Sequence, residues 1–458
     1  MDELNIFGTD GIRGLANKYP ITAELALKLG MILGKTFSSS KGVNKVVIGK
    51  DTRLSGYLLE PAFTAGFVSV GMDVILVGPV PTPGVSILTK SLRCNLGLML
   101  SASHNSFEDN GIKIFNSEGL KLTEDEELEI ETLLSSDTDS FRSESHNLGR
   151  AERLDDGTGV VRYIEFVKNT FSSKLSLNGL KIVLDCANGA GYKVGPRVLK
   201  ELGADVIEIG VSPNGKNIND DCGSQFPDKM VSLVKSQKAD FGLALDGDAD
   251  RIICCDETGN LINGDQILAV IANRWERKKL LSSNFIVSTI MSNTGLEEYL
   301  KSINLHLERT QVGDRHVVKK MLDLQSNLGG EQSGHIILGQ YSYTGDSLLV
   351  ALQLLSEIVE KNKPASDLLN MFTPLPQIIE NVPIRNIKNF DDIIKSKDVV
   401  DVINTSKSEL KGKGRINIRT SGTETLARIM IEGESEEKIK FLAENIKNSI
   451  LQNQHYTS

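Results

Sequence analysis

The chain has 458 residues, 40% of them hydrophobic and 24% charged, a composition typical of a globular protein with several domains. Its net charge of −9 argues against nucleic acid as a partner, because a basic face supplies most of that binding. No uncharged apolar stretch approaches the roughly 20 residues that cross a bilayer, and the acidic start lacks the features of a signal peptide; we expect a cytoplasmic protein with no membrane partner.

The five cysteines are scattered and form no CxxC pair. A zinc site or a disulfide framework usually needs such spacing, so we expect buried, reduced thiols.

Three copies of one strand–helix–strand unit follow one another along the chain. In the first two copies the first predicted strands are short β-branched runs that end in a polar loop, at 45–51 and 181–187. Each is followed by a helix-like stretch and by a similar strand, at 71–78 and 203–210, and then by a third strand, at 97–105 and 242–250. A fainter third copy runs from "NFIVSTIMSN" to "NLGGEQSGH". This alternation predicts parallel sheets with crossover helices, whose ligands bind beyond the carboxyl ends of the strands. We therefore expect "SASHN", "DGDADR" and "GEQSGH" to face a common cleft.

Composition also marks where the units end. The acidic stretch "LTEDEELEIETLL" predicts a helix, with Thr123 and Glu126 as its capping box, and a polar segment follows at 135–150. The stretch 373–377, "TPLPQ", precedes a different tail with two strands and an amphipathic helix, on one face of which lie Ile439, Leu442, Ile446 and Ile450. The predicted domains are 1–150, 151–258, 259–375 and 376–458.

The loop "LDGDADR" places Asp246, Asp248 and Asp250 at alternate positions before Arg251. Three carboxylates this close repel one another unless a cation neutralises them, and oxygen ligands suit Mg²⁺. A solvated acidic turn is the alternative, which the apolar flanks "FGLAL" and "IICC" disfavour. An EF-hand requires Gly where Arg251 stands, and haloacid-dehalogenase-type phosphatases have Thr or Val where Asp250 stands.

Three further loops carry groups suited to phosphate or sugar. In "RTSGTETLAR" a guanidinium, two hydroxyls and a glycine backbone suit a phosphate: Arg419, Ser421, Gly422 and Thr423. In "GEQSGH", Glu331 and Ser333 could bind sugar hydroxyls and His335 could carry a proton. "FGTDGIRG" is a Gly-rich turn with Arg13. Polar turns explain each of these loops taken alone, and Ser103 in "SASHN" could equally be a turn residue.

Together and in this order, the motifs resemble those of the α-D-phosphohexomutase superfamily, and most closely those of its bacterial branch that acts on glucosamine phosphate. The stretches that carry the resemblance are "FGTDGIRG", "IGKDTRLSGY", "GPVPTP", "SASHN", "DNGIK", "DCANGAGY", "PNGKNIN", "DGDADR", "GGEQSGH" and "RTSGTE". The resemblance implies three related α/β domains with mixed, mostly parallel sheets. A C-terminal α+β domain similar to the TATA-binding-protein fold would complete a central cleft.

The resemblance also assigns roles to individual residues. Ser103 would carry a phosphoryl group and, with Asp246, Asp248 and Asp250, would bind Mg²⁺. The other implied catalytic residues are Arg251 for the transferring group, Lys113 as a general base, His335 as an acid or base, and Arg13. The implied substrate-binding residues are Glu331, Ser333, Arg419, Ser421, Gly422 and Thr423.

The implied reaction interconverts glucosamine 6-phosphate and glucosamine 1-phosphate through a 1,6-bisphosphate, and so feeds UDP-N-acetylglucosamine synthesis. The 1,6-bisphosphate of glucosamine or of glucose would act as activator, and the enzyme could be a homodimer. Gln332 and "VGDRHV" at 312–317 resemble the glucosamine branch, whereas relatives specific for hexoses commonly have Met at the position of Gln332. Phosphoglucomutase or phosphomannomutase activity, and a non-catalytic sensor of sugar phosphates, remain alternatives.

The chain departs from the superfamily pattern at three positions. Ser106 and Thr425 replace prolines, and Ser347 replaces a glycine. Loss of a proline gives up a fixed φ, so we expect looser loops and an effect on rate more than on the reaction.

Overall fold

Each predicted strand–helix–strand copy forms its own sheet, and in each sheet an antiparallel strand follows the parallel strands. The computed structural model describes residues 6–8, 10–39, 42, 44–154, 158–384, 390–410, 414–420 and 426–453. No helix in these ranges is long and apolar enough to cross a membrane.

The first sheet has six strands in the order β1-β5-β4-β2-β3-β6. Its strands are β1 (Ile12–Leu15), β2 (Lys45–Lys50), β3 (Asp73–Pro79), β4 (Leu96–Leu100), β5 (Asp109–Asn116) and β6 (Ala151–Arg153). Its helices are α1 (Ala23–Thr36), α2 (Gly56–Ser69), α3 (Thr82–Ser91) and α4 (Glu124–Leu134). The predicted capping box of α4 is confirmed, because Thr123 accepts from the Glu126 amide and the Glu126 side chain accepts from the Thr123 amide.

The second sheet has five strands in the order β11-β10-β9-β7-β8. Its strands are β7 (Lys181–Asp185), β8 (Asp205–Ile209), β9 (Phe241–Leu245), β10 (Ile252–Asp256) and β11 (Leu261–Ile262). Its helices are α6 (Val194–Glu201) and α7 (Asp228–Gln237), and α5 (Thr158–Asn169) packs between α3 and α6. The predicted domain boundaries stay a prediction. Strand β6 follows residue 150 but belongs to the first sheet, and strand β11 follows residue 258 but belongs to the second sheet.

The third sheet has four strands in the order β13-β12-β14-β15. Its strands are β12 (Phe285–Thr289), β13 (His306–Thr310), β14 (Leu328–Gly330) and β15 (Ile336–Leu338). The helices of this part are α8 (Gly264–Lys278), α9 (Thr294–Ser302), α10 (Asp314–Asp323), α11 (Ser347–Lys361) and α12 (Ala365–Leu369). The faint third copy in the sequence is therefore confirmed.

The C-terminal domain has three antiparallel strands in the order β16-β18-β17. They are β16 (Gln377–Pro383), β17 (Gly414–Thr420) and β18 (Leu426–Gly433), with helices α13 (Phe390–Lys395), α14 (Lys397–Glu409) and α15 (Glu436–Asn453). The predicted apolar face of α15 is buried at Ile439, Leu442, Ile446 and Ile450. These side chains pack in a core of their own, separate from the one shared by the first three domains.

The predicted α/β fold class, with mixed sheets and a different C-terminal domain, is confirmed. The five cysteines are free and buried, as predicted. The three candidate loops occupy equivalent places: each joins the last parallel strand of a sheet to its antiparallel neighbour, at β4–β5, β9–β10 and β14–β15.

Candidate active site

Ser103 lies just after β4 and its hydroxyl meets the loop that follows β9. Its Oγ donates to Asp246 Oδ2 at 2.6 Å, and its backbone N–H donates to Ser101 Oγ at 3.0 Å. The side chain is fully buried, and the backbone has a φ of 53°, in the left-handed region that a serine rarely adopts. Neighbouring groups must hold this conformation, as is common at functional sites.

Arg53 and Asn219 hold the serine loop from two sides. Arg53 Nη2 donates to the carbonyl oxygens of Ser103 at 3.0 Å and Asn105 at 2.8 Å, and its Nη1 donates to those of Asp109 at 3.0 Å and Ser106. Asn219 Nδ2 donates to the carbonyls of Ser103 and Asn105 at 2.9 and 3.0 Å. Both residues lie in stretches that resemble the superfamily, "IGKDTRLSGY" and "PNGKNIN", but sequence reasoning gave them no role.

Replacing Arg53 with lysine is expected to lower kcat by roughly 10- to 100-fold and the free energy of unfolding by about 3 kcal/mol. One ammonium cannot reproduce a planar fork that bonds several carbonyls at once, so some of these buried oxygens lose their donors. Steady-state kinetics and thermal unfolding measure the two effects. Arg142→Lys, on the exposed surface of the same domain, is the matched control. An unchanged kcat in Arg53→Lys would contradict the role of this clamp.

Asp246, Asp248 and Asp250 form a buried cluster after β9. Each offers one carboxylate oxygen within 4.8 Å of the others, and all three side chains are at most 3% exposed. Asp248 Oδ1 and Asp250 Oδ1 are buried and have no hydrogen-bond partner among the described residues. Oxygen donors converging in this way, with lone pairs unspent, fit a divalent cation such as Mg²⁺.

Lys113, on β5, supplies the positive charge nearest this cluster. Its Nζ donates to Asp248 Oδ2 at 2.8 Å and Asp250 Oδ2 at 3.0 Å, and lies 3.2 Å from Asp10 Oδ2. Burial lowers the pKa of Lys113, but the three carboxylates outweigh it and the pKa lies well above its ordinary value. In this geometry Lys113 is an ammonium that donates hydrogen bonds, so a role as general base requires that another cation neutralise the aspartate charges.

His335 is the last residue of the third loop and faces the same cluster. Its Nδ1 lies 3.6 Å from Asp250 Oδ1, and its Nε2 lies 3.6 Å from Asp314 Oδ2. Burial lowers the pKa of His335, but the charges of Asp250, Asp314 and Glu331 raise it by more, so the pKa lies above its ordinary value. The upward shift favours the protonated imidazole, which is the form that can donate a proton.

Arg251 and Arg13 both approach the serine loop. Arg251 Nη1 is 3.2 Å from His104 Nδ1, while Arg13 pairs with Asp10 and its Nη1 lies 3.5 Å from the Ala102 carbonyl. Burial, followed by the charges of Arg251 and Arg13, lowers the pKa of His104 to about 4, so this ring is neutral at physiological pH. The two guanidiniums can therefore stabilise negative charge close to Ser103.

The sugar loop, residues 331–335, is held at Glu331. Its Oε1 accepts from the Gly313 N–H at 3.1 Å, and its Oε2 accepts from Ser333 Oγ at 3.3 Å. The negative charge of Glu331 acts to raise the pKa of both Arg251 and Arg419.

Arg419 is half-buried on β17, directly across from Arg428 on β18. Both line a cavity of about 260 Å³ together with Met291, Asn381 and Asn417. Burial and then the charge of Arg428 lower the pKa of Arg419. Arg428 is a cationic neighbour that sequence reasoning missed. The predicted phosphate-binding residues Ser421, Gly422 and Thr423, and the departure Thr425, lie outside the described residues.

The other two departures have partners. Ser347 begins α11, and its hydroxyl lies 2.8 Å from the Ala249 carbonyl and 2.7 Å from that of Arg251, so it can donate to the backbone of the loop that carries the three aspartates. Ser106 Oγ donates to Glu108 Oε2 at 2.6 Å, within the loop that Arg53 clamps. A glycine and a proline could not make these side-chain bonds.

Family models match the chain over nearly its whole length. They are described as phosphoglucomutase/phosphomannomutase, alpha/beta/alpha domain I at residues 4–140, domain II at 161–259 and domain III at 263–375, and as the C-terminal domain at 380–449.

The similarity extends to individual proteins. Phosphoglucosamine mutase of Paramagnetospirillum magneticum is 52% identical over 445 residues, covering 97% of this chain and 98% of that protein. A phosphoglucomutase/phosphomannomutase family protein of Burkholderia thailandensis shares the fold, with a TM-score of 0.80, 22% identity and coverage of 98% and 97%. Aspergillus fumigatus N-acetylphosphoglucosamine mutase, solved in complex with GlcNAc-6P and magnesium, has a TM-score of 0.67, 18% identity and coverage of 98% and 96%.

Proposed function

Because the chain belongs to the phosphoglucomutase/phosphomannomutase family, we propose that it interconverts glucosamine 6-phosphate and glucosamine 1-phosphate through a phosphoserine at Ser103. The observation that carries the proposal is the contact of 2.6 Å between Ser103 Oγ and Asp246, one member of the buried aspartate cluster. Relatives about 52% identical that are named phosphoglucosamine mutase support the choice of sugar.

The reaction has two phosphoryl transfers. In the first, the C1 hydroxyl of glucosamine 6-phosphate attacks phospho-Ser103; a bond forms between O1 and phosphorus, and the bond to Ser103 Oγ breaks. The bisphosphate then reorients, and Ser103 Oγ takes the phosphoryl group from O6, which leaves glucosamine 1-phosphate. Such transfers depend chiefly on positioning and on the neutralisation of charge.

Separate residues serve the separate needs of each transfer. His335 and Lys113 hold and move the protons of the sugar hydroxyls, and Arg251 and Arg13 stabilise charge on the moving group. Bound to Asp246, Asp248, Asp250 and an oxygen of phospho-Ser103, Mg²⁺ would supply the remaining charge neutralisation.

Other residues bind the substrate at points distant from Ser103. Glu331 and Ser333 bind sugar hydroxyls, and Arg419, with Ser421, Gly422 and Thr423, grips the phosphate that is not reacting. A 1,6-bisphosphate of glucosamine or glucose primes Ser103. A cytoplasmic location and a homodimer belong to the same proposal.

A mutase assay on glucosamine 6-phosphate and glucose 6-phosphate, with Mg²⁺ and a trace of 1,6-bisphosphate, tests the proposal. We expect a kcat/KM preference for glucosamine of roughly 10-fold or more, the range that one polar contact provides. A preference for glucose would leave the mechanism intact and overturn the substrate. Turnover of neither sugar, with bisphosphate present, would contradict the activity itself.

A further inference from the structure

Gln332 sits in the sugar loop between Glu331 and Ser333, but its side chain is bonded to a different part of the protein. Its Nε2 donates to Asp265 Oδ2 at 3.1 Å. Glu331 instead accepts from the Gly313 amide and from Ser333. The amide nitrogen of Gln332 is thus engaged with helix α8.

Asp265 also bonds the N-cap residue of helix α9. It is the second residue of α8 and only 1% exposed, and its Oδ2 also accepts the backbone N–H of Asn293 at 2.9 Å. Asn293 is the N-cap of α9, and its Oδ1 accepts from the Gly295 amide at 2.9 Å. One carboxylate oxygen therefore joins the sugar loop to the first turn of α9.

The first turn of α9 is in turn fixed to the C-terminal domain. The Thr294 amide donates to Glu432 Oε1 at 2.7 Å, and Glu432 is a fully buried residue of β18. Arg415 of β17 donates to Glu432 Oε2 at 3.1 Å, and its Nη1 donates to the Ile290 carbonyl at 2.7 Å. The hairpin β17–β18 also carries Arg419, the phosphate-binding candidate.

We infer that Gln332 is a positioning residue. Through Asp265 it fixes Glu331 and Ser333 relative to the domain that carries Arg419, and it does not read the group on C2 of the sugar. The inference rests on the proposed function and deepens it: Gln332 serves sugars with an amino group and sugars with a hydroxyl group on C2 alike. Discrimination between them must then come from other residues.

The variant Gln332→Met removes the donor to Asp265 while keeping the length of the side chain. We expect KM to rise by the same factor, about 10-fold, for glucosamine 6-phosphate and glucose 6-phosphate, the cost of one hydrogen bond to a charged group. The ratio of the two kcat/KM values should stay within about twofold of the wild-type ratio, since C2 is not contacted. Asp265→Asn, which alters the acceptor, should give the same parallel rise. Gln340→Met, at an exposed site after β15, is the matched control and should behave as wild type.

Three results would overturn the inference. A loss confined to glucosamine 6-phosphate in Gln332→Met would place Gln332 in contact with C2. Unchanged KM values with a lower thermal midpoint would reduce Gln332 to a purely structural residue, and unchanged KM values with an unchanged midpoint would leave it without a role. If the wild-type enzyme does not isomerise glucosamine 6-phosphate, the proposed function fails separately. The parallel change in KM can then be measured on glucose 6-phosphate and mannose 6-phosphate.

Discussion

Replacing Ser103 with alanine is expected to reduce mutase turnover by about 10⁴-fold or more, the scale of loss when a covalent nucleophile is removed. Ser103 Oγ is the hydroxyl that meets the aspartate cluster, and alanine has no oxygen to carry the phosphoryl group. Turnover is measured on glucosamine 6-phosphate with Mg²⁺ and bisphosphate. Intact-protein mass spectrometry follows the gain of one phosphoryl group after incubation with the bisphosphate.

Ser106→Ala is the matched control for this experiment. Ser106 belongs to the same loop, but its hydroxyl is exposed and bonds only Glu108 among the described residues. We expect this variant to keep its turnover within a few-fold of wild type and to gain the phosphoryl mass. Turnover that survives in Ser103→Ala, or a phosphoryl group found on Ser106 in the wild type, would end the phosphoserine mechanism.

The sequence was sufficient to predict the repeated fold, because the signal for each strand is local. The runs at 45–51 and 181–187 became β2 and β7, and the loops at the ends of β4, β9 and β14 lie at equivalent edges. Alternation of strands and helices restricts the possible sheets to a few, so even the faint third copy could be placed.

The residues that hold the site were not predicted, because their partners are far away in the chain. Arg53 lies 50 residues before Ser103, and Asn219 lies 116 residues after it, yet both bond the same carbonyl oxygen. The stretches around the two residues resemble the superfamily, but nothing in them indicates a role for either side chain, since buried arginines and asparagines look in sequence like surface ones. Lys113 was noticed, but its pKa depends on three carboxylates from two loops that only the fold brings together.

Departures from a family pattern proved equally hard to interpret from sequence. Ser347 was expected to affect rate, and nothing local indicates that its hydroxyl bonds the carbonyls of Ala249 and Arg251. Ala249 has a φ of 57°, so the Ser347 hydroxyl contacts the carbonyl of a left-handed residue between two of the aspartates. A polar replacement can thus add a contact to the aspartate loop that the sequence pattern alone does not reveal.

Asp246 should make the metal-free protein less stable than an uncharged residue at the same position would. Burial, followed by the charges of Asp250 and Asp248, holds the pKa of Asp246 well above its ordinary value. A carboxyl whose pKa is raised in the folded state stabilises the fold fully only below its unfolded pKa, about 3.9, and this contribution is lost as pH rises through the folded pKa. At neutral pH the carboxyl group of Asp246 therefore costs stability that an asparagine of the same shape would not cost.

Asp246→Asn is accordingly expected to raise the thermal midpoint of the EDTA-treated protein at pH 7.5. The rise should be about 2–4 °C for each kcal/mol by which the free energy of unfolding increases, and it should be smaller at pH 4.5. The same change removes a ligand, so we expect Mg²⁺ affinity to fall by about 100-fold or more and the stabilisation by Mg²⁺ to be lost. Calorimetric titration and thermal unfolding with and without Mg²⁺ measure both effects. Asp220→Asn, an exposed carboxylate of the same domain, is the matched control and should change neither. If Asp246→Asn kept its Mg²⁺ affinity, the cluster would not be the metal site. If the variant were less stable without metal, the hydrogen bonds of Asp246 would stabilise the fold by more than its buried charge destabilises it. The stability of the cluster would then not depend on a bound cation alone.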